Sequence, residues 1–380
     1  ENFWFATEYK DILKLRITMR PVVTTISVVT VNLPLRRPIV SAVGHYDKWP
    51  FIITEITLDN GVVGNSYICP YLVNYTQSIE FVIRELSGLI KNKPLAPANF
   101  YEIGLHQISL LGRSGIAMYA LAALDIAMWD ASAKDADLPL CEHLGGDLAD
   151  VKAYNSGGLW LLPPEKLAKQ AEELRREGNF SALKIRLGRD NLDTDLKAIE
   201  AVRSQMAEEG HLLCDFNQVL TFNAAIPRLK ALDQEGLYWF EEPIPYYELQ
   251  NYAELRRVIS TPLILGENFH GVDHAAQSLE IGSGDAIMPD LMRIGGVSGW
   301  IKTAALAEAY KKPVSSHLYH EVSAHLMRVT PTADYLEWMN WSDPLFKEPY
   351  QVRDGHLKIP ERPGVGLELN RDIIELYRVR

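Results

Sequence analysis

Hydrophobic and polar positions change rhythm near residue 150. Before it, residues 21–35 (PVVTTISVVTVNLPL) are rich in Val, Ile and Thr and predict a strand. Residues 51–58 and 62–68 flank Asp59-Asn60-Gly61, and an Asn-Gly step supplies the positive φ of a tight hairpin turn. Residues 77–91 and 115–135 predict helices. The second, GIAMYALAALDIAMWDASAKD, is apolar on most faces and should be buried. Residues 1–150 thus predict a small α+β domain.

After it, short apolar runs alternate with amphipathic helical runs. The strand candidates are 152–154, 182–186, 211–215, 237–240, 263–265, 286–288 and 313–316, each followed by a helix-like stretch such as 164–177 or 194–208. Repeated βα units predict a parallel sheet. Seven or eight of them in about 200 residues fit a (β/α)8-type barrel better than an open sheet, over residues 151–343. Residues 344–380 carry few helical signals and are expected to wrap back over the first domain.

Composition narrows the function classes. Of 380 residues, 47% are hydrophobic and 23% charged, which excludes disorder as the main state. The formal charge is 38 − 49 = −11 with no Lys/Arg-rich run, a poor match to nucleic acid or an anionic membrane. Cys69, Cys141 and Cys214 are odd in number and form no C-x-x-C, so neither a disulfide framework nor a zinc ribbon is expected. A reducing, cytoplasmic setting is the plain reading. No apolar run approaches the length of a membrane span, and residues 1–10 carry no signal-peptide core.

Charged residues stand at the carboxyl ends of the expected strands: Lys184 and Arg186, then Asp215, Glu241, Glu267, Asp290 and His317. From Asp215 onward the steps are 26, 26, 23 and 27 residues, about one βα unit each. Singly, each carboxylate reads as a helix N-cap or a solvated loop residue, and a lone His as structural. In a parallel barrel, however, these ends converge on one mouth, where active sites are built. Three carboxylates at that mouth repel one another unless a cation neutralises them, and hard oxygen ligands suit Mg²⁺.

In this order and spacing, LDIAMWDASAK (124–134), LPLCEHLGG (138–146), LKIRLG (183–188), DFNQ (215–218), EEP (241–243), GEN (266–268), MPDLMRIGGVSGW (288–300), SSHLYHEVSAH (315–325) and PTADYLE (331–337) resemble the enolase superfamily. Within it they resemble the mandelate racemase/muconate lactonizing enzyme subgroup. The resemblance spans about residues 20–370. It implies a modified TIM barrel, (β/α)7β, under an α+β capping domain formed by the N-terminal part and the C-terminal tail. It also implies Mg²⁺ held by Asp215, Glu241 and Glu267, and a His317–Asp290 acid/base dyad. Lys184 would hold a substrate carboxylate oxygen, and Glu337 would donate to the same carboxylate in a protonated form. Ser156 and Asn217 fall where the family places polar substrate contacts; a turn residue and a metal-shell orienter are their structural alternatives. Ile39, Tyr46 and Tyr67 are expected at the substrate, the first two on a specificity loop at about 38–50. A homo-oligomer, an octamer by resemblance, is implied as well.

The implied chemistry is abstraction of the α-proton of a small-molecule 2-hydroxy carboxylate, giving a metal-stabilised enediolate. One departure matters. The racemase pattern carries Lys-x-Lys on this strand, and its second Lys is a base. Here Arg186 takes that place, and a guanidinium stays charged at any working pH. A single base, His317, favours acid-sugar-type dehydration over racemisation of an aryl or hydrophobic 2-hydroxy acid. The apolar stretch 38–44 leans the other way, toward an aryl or hydrophobic acid, while its aromatic and polar continuation, His45 to Trp49, suits hydroxyls. A surface turn capping the barrel is the structural alternative. Gly295-Gly296 could cradle a phosphate but reads better as a tight turn, and a non-catalytic scaffold is the weakest alternative.

Overall fold

A computed structural model describes residues 20–41 and 44–379. Residues 1–10 and, in the expected specificity loop, Ala42 and Val43 lie outside the described residues. The first domain is an antiparallel sheet of β1 (Val23–Ser41), β2 (Gly44–Leu58) and β3 (Val63–Ile68) in that order. β1 runs past its predicted end because β-branched residues continue through Ile39 and Val40. A register shift between Pro34 and Ile39 absorbs Pro34 and Pro38, which lack the N–H a ladder needs. The segment 38–50 is therefore mostly the far end of a β-ribbon, with Ile39 opposite Tyr46 and Leu33 opposite Trp49. At the β2–β3 turn, Gly61 takes φ +86° and Asn60 Oδ1 accepts from Val62 N at 3.2 Å.

The helix Gly115–Asp135 is buried on nearly every face. Its length and composition would let it cross a membrane, yet 78% of its apolar window is inside the protein. It is a hub between parts of the molecule. Asp125 accepts from Ser298 N at 2.9 Å and Ser298 Oγ at 2.6 Å, and Asp130 accepts from Asn65 N and Val365 N at 2.7 Å each. Burial pushes the Asp125 carboxyl up to about 7, against the pull of its Ser298 bonds.

The barrel strands are β4 (Val151–Asn155), β5 (Ala182–Arg186), β6 (His211–Asp215), β7 (Phe240–Glu241), β8 (Leu263–Leu265), β9 (Ala286–Ile287) and β10 (Leu336–Trp338). β4 to β9 pair in parallel in chain order, and β10 pairs with β4. The expected strand at 313–316 forms no ladder. Isolated parallel bridges join Val314 to Ile287 on one side and Ala333 on the other, in the gap between β9 and β10. With helices between successive strands, the arrangement is the expected (β/α)7β form. The interior below the mouth is plugged by Tyr154, Leu213, Trp239, Ile264, Met288 and Tyr335.

The chain after Pro344 touches both domains. β11 (Val352–Arg353) and β12 (His356–Leu357) form a hairpin whose second strand lies antiparallel on β4. Further on, Gly364 O accepts from Leu140 N at 2.8 Å, and Val379 N donates to Thr30 O at 2.9 Å. The short helix Arg371–Leu376 was not foreseen. His325 ties three parts together: Nδ1 accepts from Cys141 N at 3.1 Å, and Nε2 meets Tyr350 Oη at 2.9 Å. Tyr350 in turn donates to Val365 O.

Gly295 and Gly296 have φ of +97° and +81° and pack on that central helix. A Cβ on Gly296 would lie 2.5 Å from Asp125 Oδ2, so this turn faces a carboxylate and offers no phosphate cradle.

Candidate active site

The barrel ladder lines up the charged strand ends directly. Arg186 stands opposite Asp215 and Asp215 opposite Glu241, while Asp290 and His317 meet through an isolated parallel bridge. Lys184 and Arg186 are two residues apart on β5, so both point to the same, inner side. They are buried at 1% and 3% exposure, values that demand partners.

Lys184 Nζ lies 2.8 Å from Glu241 Oε1, 2.8 Å from Glu337 Oε1 and 3.5 Å from Asp215 Oδ2. Burial lowers the pKa of this ammonium, but the three carboxylates outweigh burial and hold it above the ordinary lysine value. Glu337 Oε2 accepts from Leu318 N at 2.8 Å. Burial opposes ionisation of Glu337, yet Lys184 and His317 prevail and keep its carboxyl below the usual carboxylate range. The protonated Glu337 expected from the sequence is therefore not the form this arrangement favours.

Asp215, Glu241 and Glu267 bring ligand oxygens within 4.8 Å of one another. Burial is the main cause that raises Asp215, and it raises Glu241 well above its ordinary value, with Asp215 adding repulsion. Glu241 Oε2 is buried and has no hydrogen-bond partner. A buried, unpartnered carboxylate oxygen in an all-oxygen cluster fits a hard divalent cation such as Mg²⁺. Asn217 braces this cluster by donating to both oxygens of Asp215, from N at 2.7 Å and Nδ2 at 2.9 Å. Glu242 braces it from below. It accepts from Gly266 N at 3.3 Å and from Asn268 Nδ2 at 2.7 Å, and Asn268 also donates to Glu267 Oε1 at 3.0 Å. Burial pushes the Glu242 carboxyl up to about 8.

His317 Nδ1 is 2.8 Å from Asp290 Oδ2, and its Nε2 is 3.3 Å from Glu267 Oε2. Burial lowers the imidazole's pKa, but Glu267 and the Asp290 bond outweigh it and raise it above the ordinary value. Asp290 is itself fixed, because its Oδ1 caps the following turn at Arg293 N, 2.9 Å away.

Arg186 is held by NH1 to Ser156 O at 2.9 Å and Gly158 O at 3.0 Å, and by NH2 to Ser156 Oγ at 2.9 Å. Its guanidinium carbon sits 4.0 Å from the Trp160 ring centroid. Ser156 is thus buried as an anchor of Arg186 and does not line the mouth.

A cavity of about 280 Å³ opens on this cluster. Ile39, Tyr46 and Asn217 line it as expected positions, beside Lys184, Arg186 and His317. Tyr67 does not. It donates to Glu321 Oε2 and stacks on Tyr319 at 5.4 Å, beside a separate small cavity. Trp49, from the expected 38–50 segment, lines it too, and so do Tyr71, Trp160, Arg293, Met339 and Trp341, which the sequence reading did not single out.

A (β/α)7β barrel whose mouth joins three clustered carboxylates, a buried lysine and a His–Asp pair defines a metal-assisted carbon-acid site. Residues 23–145 match the mandelate racemase/muconate lactonizing enzyme N-terminal domain, and residues 166–373 match the enolase C-terminal domain-like family. The chain belongs to the mandelate racemase/muconate lactonizing enzyme group of the enolase superfamily. It is 30% identical over 359 residues to L-talarate/galactarate dehydratase of Salmonella typhimurium, covering 94% of this chain and 88% of that one. An enolase of alpha proteobacterium BAL199 with bound magnesium has the same fold, with TM-score 0.93 and 41% identity, covering 94% of this chain and all of that one. An enolase of Bradyrhizobium complexed with magnesium and mandelic acid gives TM-score 0.91 and 32% identity, with coverage of 96% and 100%. Other relatives are dehydratases and cycloisomerases of sugar acids.

Proposed function

We propose that this protein is a Mg²⁺-dependent enzyme that removes the α-proton of a 2-hydroxy carboxylate and then expels a β-hydroxyl as water. The observation that carries the reading is His317. Its Nδ1 is bound to Asp290 at 2.8 Å, and the imidazole lines the cavity beside Glu267. Asp215, Glu241 and Glu267 would hold the Mg²⁺. When bound, that ion supplies Lewis acidity that makes the α-proton removable and offsets charge on the substrate.

The chain's own residues do the rest. Asp290 accepts from Nδ1, which leaves the Nε2 lone pair of His317 to take the α-proton. Lys184 presents a fixed ammonium to the substrate carboxylate, and Glu337 keeps it in place. The imidazolium then returns its proton to the departing β-hydroxyl, so water leaves and an enol remains that tautomerises to a 2-keto acid. Arg186 takes the place of the pattern's second lysine and is bound to Ser156 and Gly158, and a guanidinium is a poor base. That supports elimination over two-base racemisation, and the sugar-acid dehydratases among the relatives lean the same way.

The test is proton NMR in deuterated water with Mg²⁺ and a panel of 2-hydroxy and 2,3-dihydroxy acids. A 2-keto product should accumulate with deuterium at C3. Absence of both α-proton exchange and keto product across the panel would overturn the reading.

A cytoplasmic setting and a homo-oligomer belong to the same proposal. All three cysteines are buried and free, which suits a reducing compartment. Leu110 and Leu111 are 99% and 76% exposed at the tip of one loop, an apolar knob that a second copy would cover.

A further inference from the structure

Among the described residues, two groups of ligating side chains bring their donor atoms within 4.8 Å of one another. One is the carboxylate cluster at the barrel mouth. The other is His320, Glu321 and Asp343. His320 Nε2 is 3.4 Å from Glu321 Oε1 and 3.8 Å from Asp343 Oδ1. His320 is 2% exposed and Glu321 fully buried, while the Asp343 side chain is 25% exposed.

Two atoms of this group are left unsatisfied. His320 Nε2 and Asp343 Oδ1 are shielded from water, and neither has a hydrogen-bond partner. An imidazole nitrogen and a carboxylate oxygen pay for such isolation in free energy. A proton shared between them would draw the atoms to about 2.7–2.9 Å, the length of a charge-assisted bond. The separations of 3.4 and 3.8 Å are too long for that. They suit atoms ranged around an ion, because a tetrahedral cation with bonds of about 2.1 Å spaces its ligands roughly 3.4 Å apart.

Glu321 is already oriented from outside the group. Its Oε1 accepts from Ser342 Oγ at 2.6 Å and its Oε2 from Tyr67 Oη, and ligating carboxylates are commonly braced by such bonds. One imidazole nitrogen with two carboxylate oxygens is a donor set for Zn²⁺, whereas the all-oxygen cluster at the mouth suits Mg²⁺. The two carboxylates beside a neutral ring leave negative charge for a divalent ion to offset. The exposed part of Asp343 gives such an ion a way in and leaves room for water to complete its shell.

We propose that His320 Nε2, Glu321 and Asp343 form a second metal site, which takes Zn²⁺ and ties the turn after His317 to the segment after Glu337. Leu318 and Tyr319 both stand at φ +52°, and left-handed residues of that kind cost free energy unless their surroundings hold them. An ion on His320, the first residue of the helix that follows this turn, fastens it to Asp343 beyond β10. The site moves no proton and stands apart from the reaction proposed above.

Zinc retention by the full chain in excess Mg²⁺ tests it, read by elemental analysis after desalting and by thermal unfolding. One equivalent should stay bound and raise Tm. Asp343→Asn should lower zinc affinity about a hundredfold or more, beyond the usual cost of losing a supporting residue, and remove the gain in Tm. Glu241→Gln, which disables the carboxylate cluster, should keep both. Zinc-edge X-ray absorption of the unaltered chain needs no variant and should show one imidazole among oxygen ligands. Any of four results would defeat the second site: no zinc retained, a zinc shell without imidazole, zinc lost in Glu241→Gln, or zinc held normally by Asp343→Asn.

Discussion

Arg186 and Ser156 are joined twice, through NH1 to the Ser156 carbonyl and NH2 to its hydroxyl, both at 2.9 Å. A side chain clamped in this way is a fixed positive charge. Proton exchange should therefore be stereoselective, with only the enantiomer facing His317 exchanging quickly. Arg186→Lys removes most of the fork and costs about 1–3 kcal/mol of stability, because buried carbonyls lose their donors. It also introduces a group that can lose its proton when buried. Exchange of the opposite enantiomer should rise, as chiral chromatography of the products will report. Equal, fast exchange of both enantiomers by the unaltered protein would disprove the single-base scheme.

Metal dependence should be complete. Glu241→Gln, Asp215→Asn and Glu267→Gln should each abolish turnover and weaken Mg²⁺ binding. For the unaltered chain, Mg²⁺ at a hundredfold excess over its Kd should add about 2.7 kcal/mol to stability. Thermal unfolding with and without chelator measures this. Full activity after exhaustive chelation would be fatal to the assignment.

The dyad gives a split result. His317→Asn should eliminate exchange of the α-proton while leaving Mg²⁺ affinity near normal. Asp290→Asn should slow exchange, because the imidazole loses the partner that fixes its tautomer. Deuterium uptake followed by NMR distinguishes them. Normal exchange in His317→Asn would place the base elsewhere.

Acid should weaken the fold through His325. Burial lowers this imidazole to about 4 in the folded chain, against about 6.5 unfolded. Its native bonds suit the neutral ring, since Nδ1 accepts from Cys141 N. The unfolded chain therefore binds the extra proton first. The contribution is fully present above about pH 6.5 and is lost as pH falls toward 4, by about 3 kcal/mol in all. His270, also lowered by burial to about 4, acts with the same sign. Denaturant titrations from pH 7.5 to 4.5 should show a shallower decline for His325→Asn than for the unaltered chain.

The carboxylate cluster was legible because a parallel ladder converts a repeated spacing into adjacency. Steps of about one βα unit became Arg186 beside Asp215 beside Glu241. The strand carrying Glu337 was less legible, being three residues long and paired only with β4. Trp49 lay in the expected 38–50 segment, but its meeting with Trp341, and that of Trp341 with Trp160, was invisible because the three share no local pattern and meet only across the fold. Tyr67 was misplaced for a related reason. A strand alternates its two faces, and its alternation alone does not say which of the two will meet the mouth; here the tyrosine reaches Glu321.

Trp49 belongs to a cap strand, and Trp341 to the segment after the last barrel strand, so neither domain owns a whole pocket. A ligand held between them adds its binding free energy to the grip of one domain on the other. Loosening the cap then weakens affinity without touching a reacting atom. Conversely, a change confined to the cap ribbon can alter which acids are admitted while Lys184, Asp290 and His317 stay where the barrel puts them. The cap-borne lining residues Ile39, Tyr46 and Trp49 and the charged barrel residues sit on different pieces of chain, so the first can change while the second are kept.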